Sequence, residues 1–420
     1  MNFLLQLLGL GLLLSLFQVA AAVPWIGAIG WEWIRSTLGR PGRHGQREGV
    51  LPALLIRLLL LVGLGALPPV VVLFLVHDRD QLAGWGMAYG SVLHLQLCLD
   101  AVAVPVVGLL WLWPKGGAVA LAAFREGIRQ PMYWLLAGFA LLLMLVSPFL
   151  PYFTFGEDYI MVKQLGYDFI MLAALIFGVL GASMSITEEI EGRTAVTLMS
   201  KPVSRRQFLL GKFLGILLAG LAMTVLLAWV FNWVLVFKRS YDVFDQPQPP
   251  PIPVAWTDWL GRTGLSGAAA DFLRGGMQWA IEVGDVLPGV ILGFCQVMVL
   301  LAVATALATR LPLVVNLVTC LLVYFLGHLT PVLVHIARRR QELDPSKSAV
   351  SQLLTFMAQL FDTIAPSLDL FRVDSALLSD APPPLDQFFF HVGQALLLAV
   401  MYTAIGLLLG LVLFEDRDLA

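Results

Sequence analysis

The chain is 420 residues long, 59% hydrophobic and only 13% charged, with a mean hydropathy of +0.85, whereas soluble domains carry about 25% charged residues. That composition excludes a water-soluble globular protein and is that of an all-α, polytopic integral membrane protein. A formal net charge of -2, with no run of Lys and Arg interleaved with aromatic residues, excludes nucleic acid as a partner. Cys98, Cys295 and Cys320 fall inside apolar runs with no CxxC or metal-ligand spacing, so they pack as small hydrophobes and no metal site is expected. Of the six histidines, His328 and His335 lie seven apart on one helix face. Paired intramembrane histidines can hold haem, but no motif around these two supports it.

A membrane span needs about 20 mostly apolar residues. Nine segments meet that length: 3 to 29, 51 to 76, 88 to 113, 131 to 153, 167 to 187, 206 to 237, 286 to 309, 311 to 336 and 388 to 414. The first runs into Val19-Ala20-Ala21-Ala22 like a signal peptide, yet no Lys or Arg precedes Arg35, so the basic leading region is missing and the segment reads as a retained helix. Nine spans put the termini on opposite sides. Lys and Arg concentrate on the cytoplasmic side of short loops, and the short loops 77 to 87 and 154 to 166 hold only Arg79 and Lys163. The expected topology therefore has the N-terminus outside and 114 to 130, 188 to 212, Arg310 and the C-terminus inside. Arg338, Arg339 and Arg340 oppose it, because they fall on the outer side.

Within the spans, Asp100 is the one carboxylate deep in an apolar run and is a candidate for a transport or proton role. Arg57 on the neighbouring span sits near the cytoplasmic end and can snorkel away from it. After the third span, Trp113-Pro114-Lys115-Gly116-Gly117 has linker chemistry. It separates an expected accessory three-helix region, 1–115, from a core, 116–420. Residues 118 to 130 then place Val119, Ala122, Ala123 and Phe124 on one face and Arg125, Glu126 and Arg129 on the other. This predicts a helix lying along the membrane surface before Pro131 turns the chain inward.

Two polar segments, 238–285 and 337–387, read as partly ordered external loops. The first carries Gln246-Pro247-Gln248-Pro249-Pro250-Pro251, a polyproline-like spacer, followed by Trp256 and Trp259, which suit a membrane interface. Gly211-x-x-x-Gly215 and Gly406-x-x-x-Gly410 have the spacing that lets helices approach closely. In a chain with 38 glycines they are read as packing sites and not as evidence for a dimer.

The charged interruption ITEEIEGRTAVTLMSKPVSRRQFLLGKFLG, from Ile186 to Gly215, lies between two spans. Thr187 is expected to cap a new helix with Glu188, Glu189 and Glu191 in its first turn. Gly192 offers a bend, Thr194 to Met199 is amphipathic, and Lys201-Pro202 forces an extended or turned backbone. Ser204 can cap the next helix, whose start carries Arg205, Arg206 and Lys212. A charged hairpin of this kind suits a cytoplasmic partner.

Its residue pattern resembles the segment between the second and third spans of type-two ATP-binding cassette permeases. Glu188, Glu191, Gly192, Thr194, Pro202, Arg205, Gly211 and Lys212 match the family's run, with Glu189 and Arg206 compatible. The resemblance extends from Ala118 to near Glu415 and includes the elbow helix at 118 to 130, with Phe124, Arg125 and Arg129, six spans, and the Leu311-Pro312 junction. It implies that Glu188 to Lys212 form the coupling region that docks on an ATPase. It further implies an exporter in the cytoplasmic (inner) membrane, containing a second permease copy or paralogue in contact with membrane lipids. Three features depart from the pattern: Arg193 stands between Gly192 and Thr194, residues 1–115 are additional, and the loop 238–285 is long.

ATP hydrolysis needs a glycine-rich phosphate loop ending in Gly-Lys-Ser/Thr. Leu210-Gly211-Lys212-Phe213 lacks both the upstream glycine and the hydroxyl, so ATP and Mg are expected on a separate ATPase subunit and the chain itself is not expected to be an enzyme. A secondary transporter or channel would show matching broken half-helices in two repeats, and none is evident. A membrane enzyme would need clustered His, Asp or Glu near one face, and Asp158, His328 and Asp362 are scattered. Cargo is not encoded in any recognisable motif.

Overall fold

A computed structural model describes residues 8–24, 50–150, 152, 158–191, 204–242, 249–265, 267–343, 356, 368–371 and 385–415. Everything regular among them is helical. In chain order the helices are α1 (Leu8–Pro24), α2 (Val50–Leu75), α3 (Arg79–Leu112), α4 (Pro114–Arg129), α5 (Pro131–Val146), α6 (Asp158–Glu191), α7 (Arg205–Tyr241), α8 (Val254–Arg262), α9 (Gly267–Ala308), α10 (Leu313–Leu343) and α11 (Leu385–Glu415). Single 3-10 turns lie at Ser147–Phe149 and Asp369–Phe371.

Each of the nine expected spans coincides with a helix. Six are long and apolar enough to cross a membrane: Arg79–Leu112, Pro131–Phe149, Asp158–Thr187, Arg205–Tyr241, Gly267–Ala308 and Phe390–Glu415. The other three appear as shorter apolar helices in their described parts, Leu8–Pro24, Val62–Leu75 and Leu313–Leu329. Proline interrupts α2, α3 and α9 at Pro68, Pro69, Pro105 and Pro288 without ending them, as neighbouring helices allow in membranes.

Contacts divide the chain into two compact units, one of Met1–Gly108 with Pro247–Val286, the other of Leu109–Gln246 with Leu287–Ala420. In the first unit, the start of α9 runs parallel to α3. A side chain at Gly86 would strike the Phe272 carbonyl, one at Gly275 would strike the Ala83 carbonyl, and one at Gly90 would press on the Trp279 ring. These three glycines bring the two backbones together. Parallel pairing also requires 79 and 267 to lie on the same side of the membrane, as in the expected topology. The segment 238–285 is therefore helical over much of its length, α9 beginning at Gly267 and not near 286. Asp271, Arg274, Glu282 and Asp285 lower the hydropathy there, but Ala269, Phe272 and Trp279 keep one face apolar and buried.

In the second unit α6 and α7 form the buried centre, with Val162, Phe177, Ala182, Leu209, Ala219 and Phe231 all under 3% exposed. A tight turn at Thr309–Leu311 joins α9 to α10, with Pro312 opening α10 by accepting the Asn316 N–H at 3.0 Å. That turn lets the buried Asn316 amide donate to Ala304 O (2.9 Å) and to Ser183 Oγ (2.8 Å), pinning three helices together. Gly406 and Gly410 seat α11 against Ala302 and Ala306 of α9, so this glycine pair is an intrachain packing site. Arg338 to Arg340 lie in the last turns of α10, at the opposite end from Arg310.

Replacing Gly275 with Leu would drive a branched side chain into the α3 backbone. Overpacking of this kind costs about 1–3 kcal/mol, so the variant should unfold at a lower temperature in detergent than the parent, whereas Gly261→Leu, with nothing within 4 Å of its Cβ position, should not.

Candidate coupling site

The expected site lies at one end of the second unit, where the ends of α4, α6, α7, α9 and α11 meet. Its centre is Lys212, in the second turn of α7 and only 5% exposed. The Lys212 ammonium donates to Glu189 Oε1 at 2.6 Å, Ser185 Oγ at 2.8 Å and Glu126 Oε2 at 3.2 Å. An ammonium has three N–H donors, and here each finds an acceptor, two on α6 and one on α4. Removing water from a lysine is costly unless it is paired and hydrogen-bonded, and this arrangement meets both conditions.

The backbone of α4 reaches Lys212 because two glycines clear the way. A Cβ on Gly211 would come 2.7 Å from Val119 Cβ, and one on Gly215 would come 2.6 Å from Ala123 Cβ and overlap the Ala120 carbonyl. The buried side of α4 is Gly116, Ala120, Ala123 and Gly127, spaced as one helical stripe. Ala122, expected on this face, is exposed, and Phe124 is half-buried. Arg125 and Arg129 point outward. The helix starts at Pro114, earlier than expected, so Gly116 and Gly117 belong to its first turns; Gly117 N donates to Trp113 O at 2.7 Å. At its other end Trp134 Nε1 donates to Ile128 O at 2.9 Å, holding the turn into α5.

Ser204 caps α7 as expected. Its Oγ accepts from Gln207 N at 3.2 Å, and Gln207 Oε1 accepts from Ser204 N at 3.1 Å, a reciprocal capping box. Thr187 does not cap a helix. α6 runs unbroken through it to Glu191, since no Gly or Pro interrupts 182 to 191, and Thr187 Oγ1 donates instead to Ala308 O at 3.2 Å. Glu188, Glu189 and Glu191 therefore occupy the last turn of a helix and not the first. Carboxylates are disfavoured at that negative end of the dipole, and the Lys212 ammonium offsets part of the cost.

Arg205 and Arg206 turn toward α11. Arg205 Nη1 donates to Glu415 O at 2.9 Å and Phe414 O at 3.3 Å, and Arg206 Nε pairs with Glu415 Oε1 at 3.1 Å. Arg310 Nε donates to Leu413 O at 2.9 Å. Two guanidinium groups, one at the start of α7 and one in the turn between α9 and α10, thus satisfy three of the carbonyls left open at the end of α11.

Gly192, Arg193, Thr194 and Pro202 lie outside the described residues, as do the side chains of Glu188 and Glu191. Asp100 sits half-buried on α3 in the other unit and is not part of this cluster. His328 engages both ring nitrogens, Nδ1 with Tyr324 O at 2.9 Å and Nε2 with the Gln296 amide at 3.0 Å. Among the described residues no three His, Cys, Asp or Glu gather at metal-binding range. Glu126 was not among the expected site residues, and only its alternation with Arg125 and Arg129 on the polar face of α4 marks it in the sequence.

Comparison with known families matches residues 118–419 to the model described as ABC-2 family transporter protein. The match starts within α4 and covers the whole of the cluster. No curated protein matches the chain.

Lys212→Met would leave Glu189 and Glu126 facing an apolar group. Breaking a buried pair costs about 3–5 kcal/mol, but Glu126 is about half exposed and Glu189 about a quarter exposed, so the loss should be nearer ~2 kcal/mol. Thermal unfolding in detergent should rank Lys212→Met as most destabilised, then Glu189→Gln, then Glu126→Gln; an unchanged midpoint for Lys212→Met would refute the bridge.

Proposed function

Because the chain belongs to the ABC-2 transporter family, of which it carries the membrane permease domain, we propose that it exports its cargo by coupling to a separate ATP-binding cassette ATPase at the Lys212 end. The observation that carries this reading is the cross-tied frame itself: α6 and α7, the helices flanking 192–203, are locked to each other and to α4 at the base of that segment. A segment that transmits force needs a base that does not yield. ATP and Mg then belong to the ATPase, and the chain supplies no hydrolytic groups. A second permease copy or a paralogue completes a symmetric complex, and 1–115 serves an accessory role in the specific task. The coupling end faces the cytoplasm and the protein resides in the inner membrane.

Glu189 is committed to Lys212, so the docking test should spare it. Glu188→Lys with Glu191→Lys reverses two charges beside the coupling segment. Affinity purification in mild detergent should recover the parent with a polypeptide bearing a glycine-rich phosphate loop and with ATPase activity, and the double variant without either, at equal membrane abundance. Undiminished ATPase recovery would remove the docking assignment.

Sidedness is separable from docking. In a chain with Cys98, Cys295 and Cys320 replaced, a membrane-impermeant maleimide applied to intact cells should label Ser266→Cys and not Ser200→Cys. The opposite labelling would reverse the topology.

A further inference from the structure

The first unit contains a cavity of about 550 Å³ walled by α1, α3, α8 and α9, with Leu10, Leu14, Tyr89, Phe272 and Met277 among its lining and Trp256 and Trp259 at α8. This is within the roughly 300–1,000 Å³ of small-ligand pockets. Its chemistry is nearly pure hydrocarbon. The two hydroxyls in the wall already donate to backbone carbonyls, Tyr89 Oη to Leu14 O and Thr263 Oγ1 to Leu260 O, both at 2.6 Å. A polar ligand would find little to bind, and water does not fill an apolar cavity.

The surroundings select among apolar occupants. Helix α8 buries only Leu260 and leaves Val254, Trp256 and Trp259 at 73%, 40% and 52% exposure. A short amphipathic helix that shows tryptophan on its outer surface, with Arg262 in its last turn, has the composition of an element lying at the headgroup boundary. On α1, Leu13 and Phe17 are 46% and 57% exposed, so the cavity wall continues into an exposed apolar surface. A protein helix about 10 Å across calls for a long groove and not a cavity of this size. A single flexible hydrocarbon chain fits both its volume and its lining.

We propose that this cavity binds one acyl chain of a membrane lipid, with the lipid's headgroup held at the level of Trp256, Trp259 and Arg262. The site is built from α1, α3, α8 and the start of α9, and it shares no residue with the Lys212 cluster.

The test uses the full-length chain in phosphatidylcholine vesicles containing a trace of phosphatidylcholine with a diazirine in one acyl chain. After irradiation, cross-links are mapped by mass spectrometry. Peptides containing Tyr89 to Leu93 and Met277 should be labelled several-fold more than the outward face of α11, where Leu397, Ile405 and Leu408 are exposed. Gly9→Trp fills the cavity from a position whose Cβ would meet nothing within 4 Å, and Ala280→Trp fills it from the facing wall. Each should reduce cavity labelling several-fold and leave α11 labelling unchanged. Cavity labelling no higher than that of α11, or labelling undiminished in both variants, would overturn the proposal.

Discussion

A single positive charge, almost wholly withdrawn from water, organises the end of this membrane domain where α4, α6 and α7 meet. Lys212 enters near the start of α7, and its three donors are spent on α4 and α6. Apolar contact between helices in a bilayer is weakly selective, because lipid tails are as apolar as the helices themselves. A lysine with three fixed acceptors is different: sliding or rotating α7 by one residue would strand the ammonium and its carboxylates. The charge therefore sets the register that the surrounding apolar surface leaves undecided, the best-attested use of a buried ionic group.

The same logic explains why glycine accompanies it. Close backbone approach supplies the van der Waals contact that replaces the hydrophobic effect within a membrane, and Gly211 and Gly215 let α4 lie against α7 closely enough for Glu126 to reach Lys212. Gly86 and Gly275 do equivalent work between α3 and α9, as Gly406 and Gly410 do between α9 and α11. Polar bonds add the rest, with Asn316 bridging α9, α10 and α6.

Much of this was legible in the sequence where the signal is local. Apolar run length located a helix at each of the nine expected spans, six of them long enough to cross a membrane, Ser204 announced the α7 cap, and the pattern from Glu188 to Lys212 pointed to the family. Failures came where a tertiary partner outbids a local rule. Thr187 looks like a helix cap until Ala308 offers its carbonyl, and the glutamates after it look like a first turn until Lys212 makes a last turn tolerable. The span ruler missed 267–285 because its charges dilute hydropathy, although Phe272 and Trp279 keep a helical stripe that packs on α3. Glu126 was overlooked for the opposite reason: a carboxylate on the polar face of a surface helix reads as solvated, and only the three-dimensional position of Lys212 gives it a partner.

The ties at the two ends of α6 and α7 limit how force can travel. At one end the pair is joined through Lys212, Glu189 and Ser185; at the far end Arg239 Nη2 donates to Tyr159 Oη at 2.8 Å, with the guanidinium over the same ring. Helix α7, 37 residues long, spans about 55 Å at a rise of ~1.5 Å per residue, well beyond the roughly 30 Å hydrocarbon core. Shear between the two helices would break a buried charged contact at one end and a cation–ring contact at the other. Tilting them together breaks neither. Under the proposed docking, a displacement of 188–191 is carried along α6 and α7 as motion of the pair, with α4 drawn along by Glu126, and the give occurs where α6 and α7 meet the remaining helices.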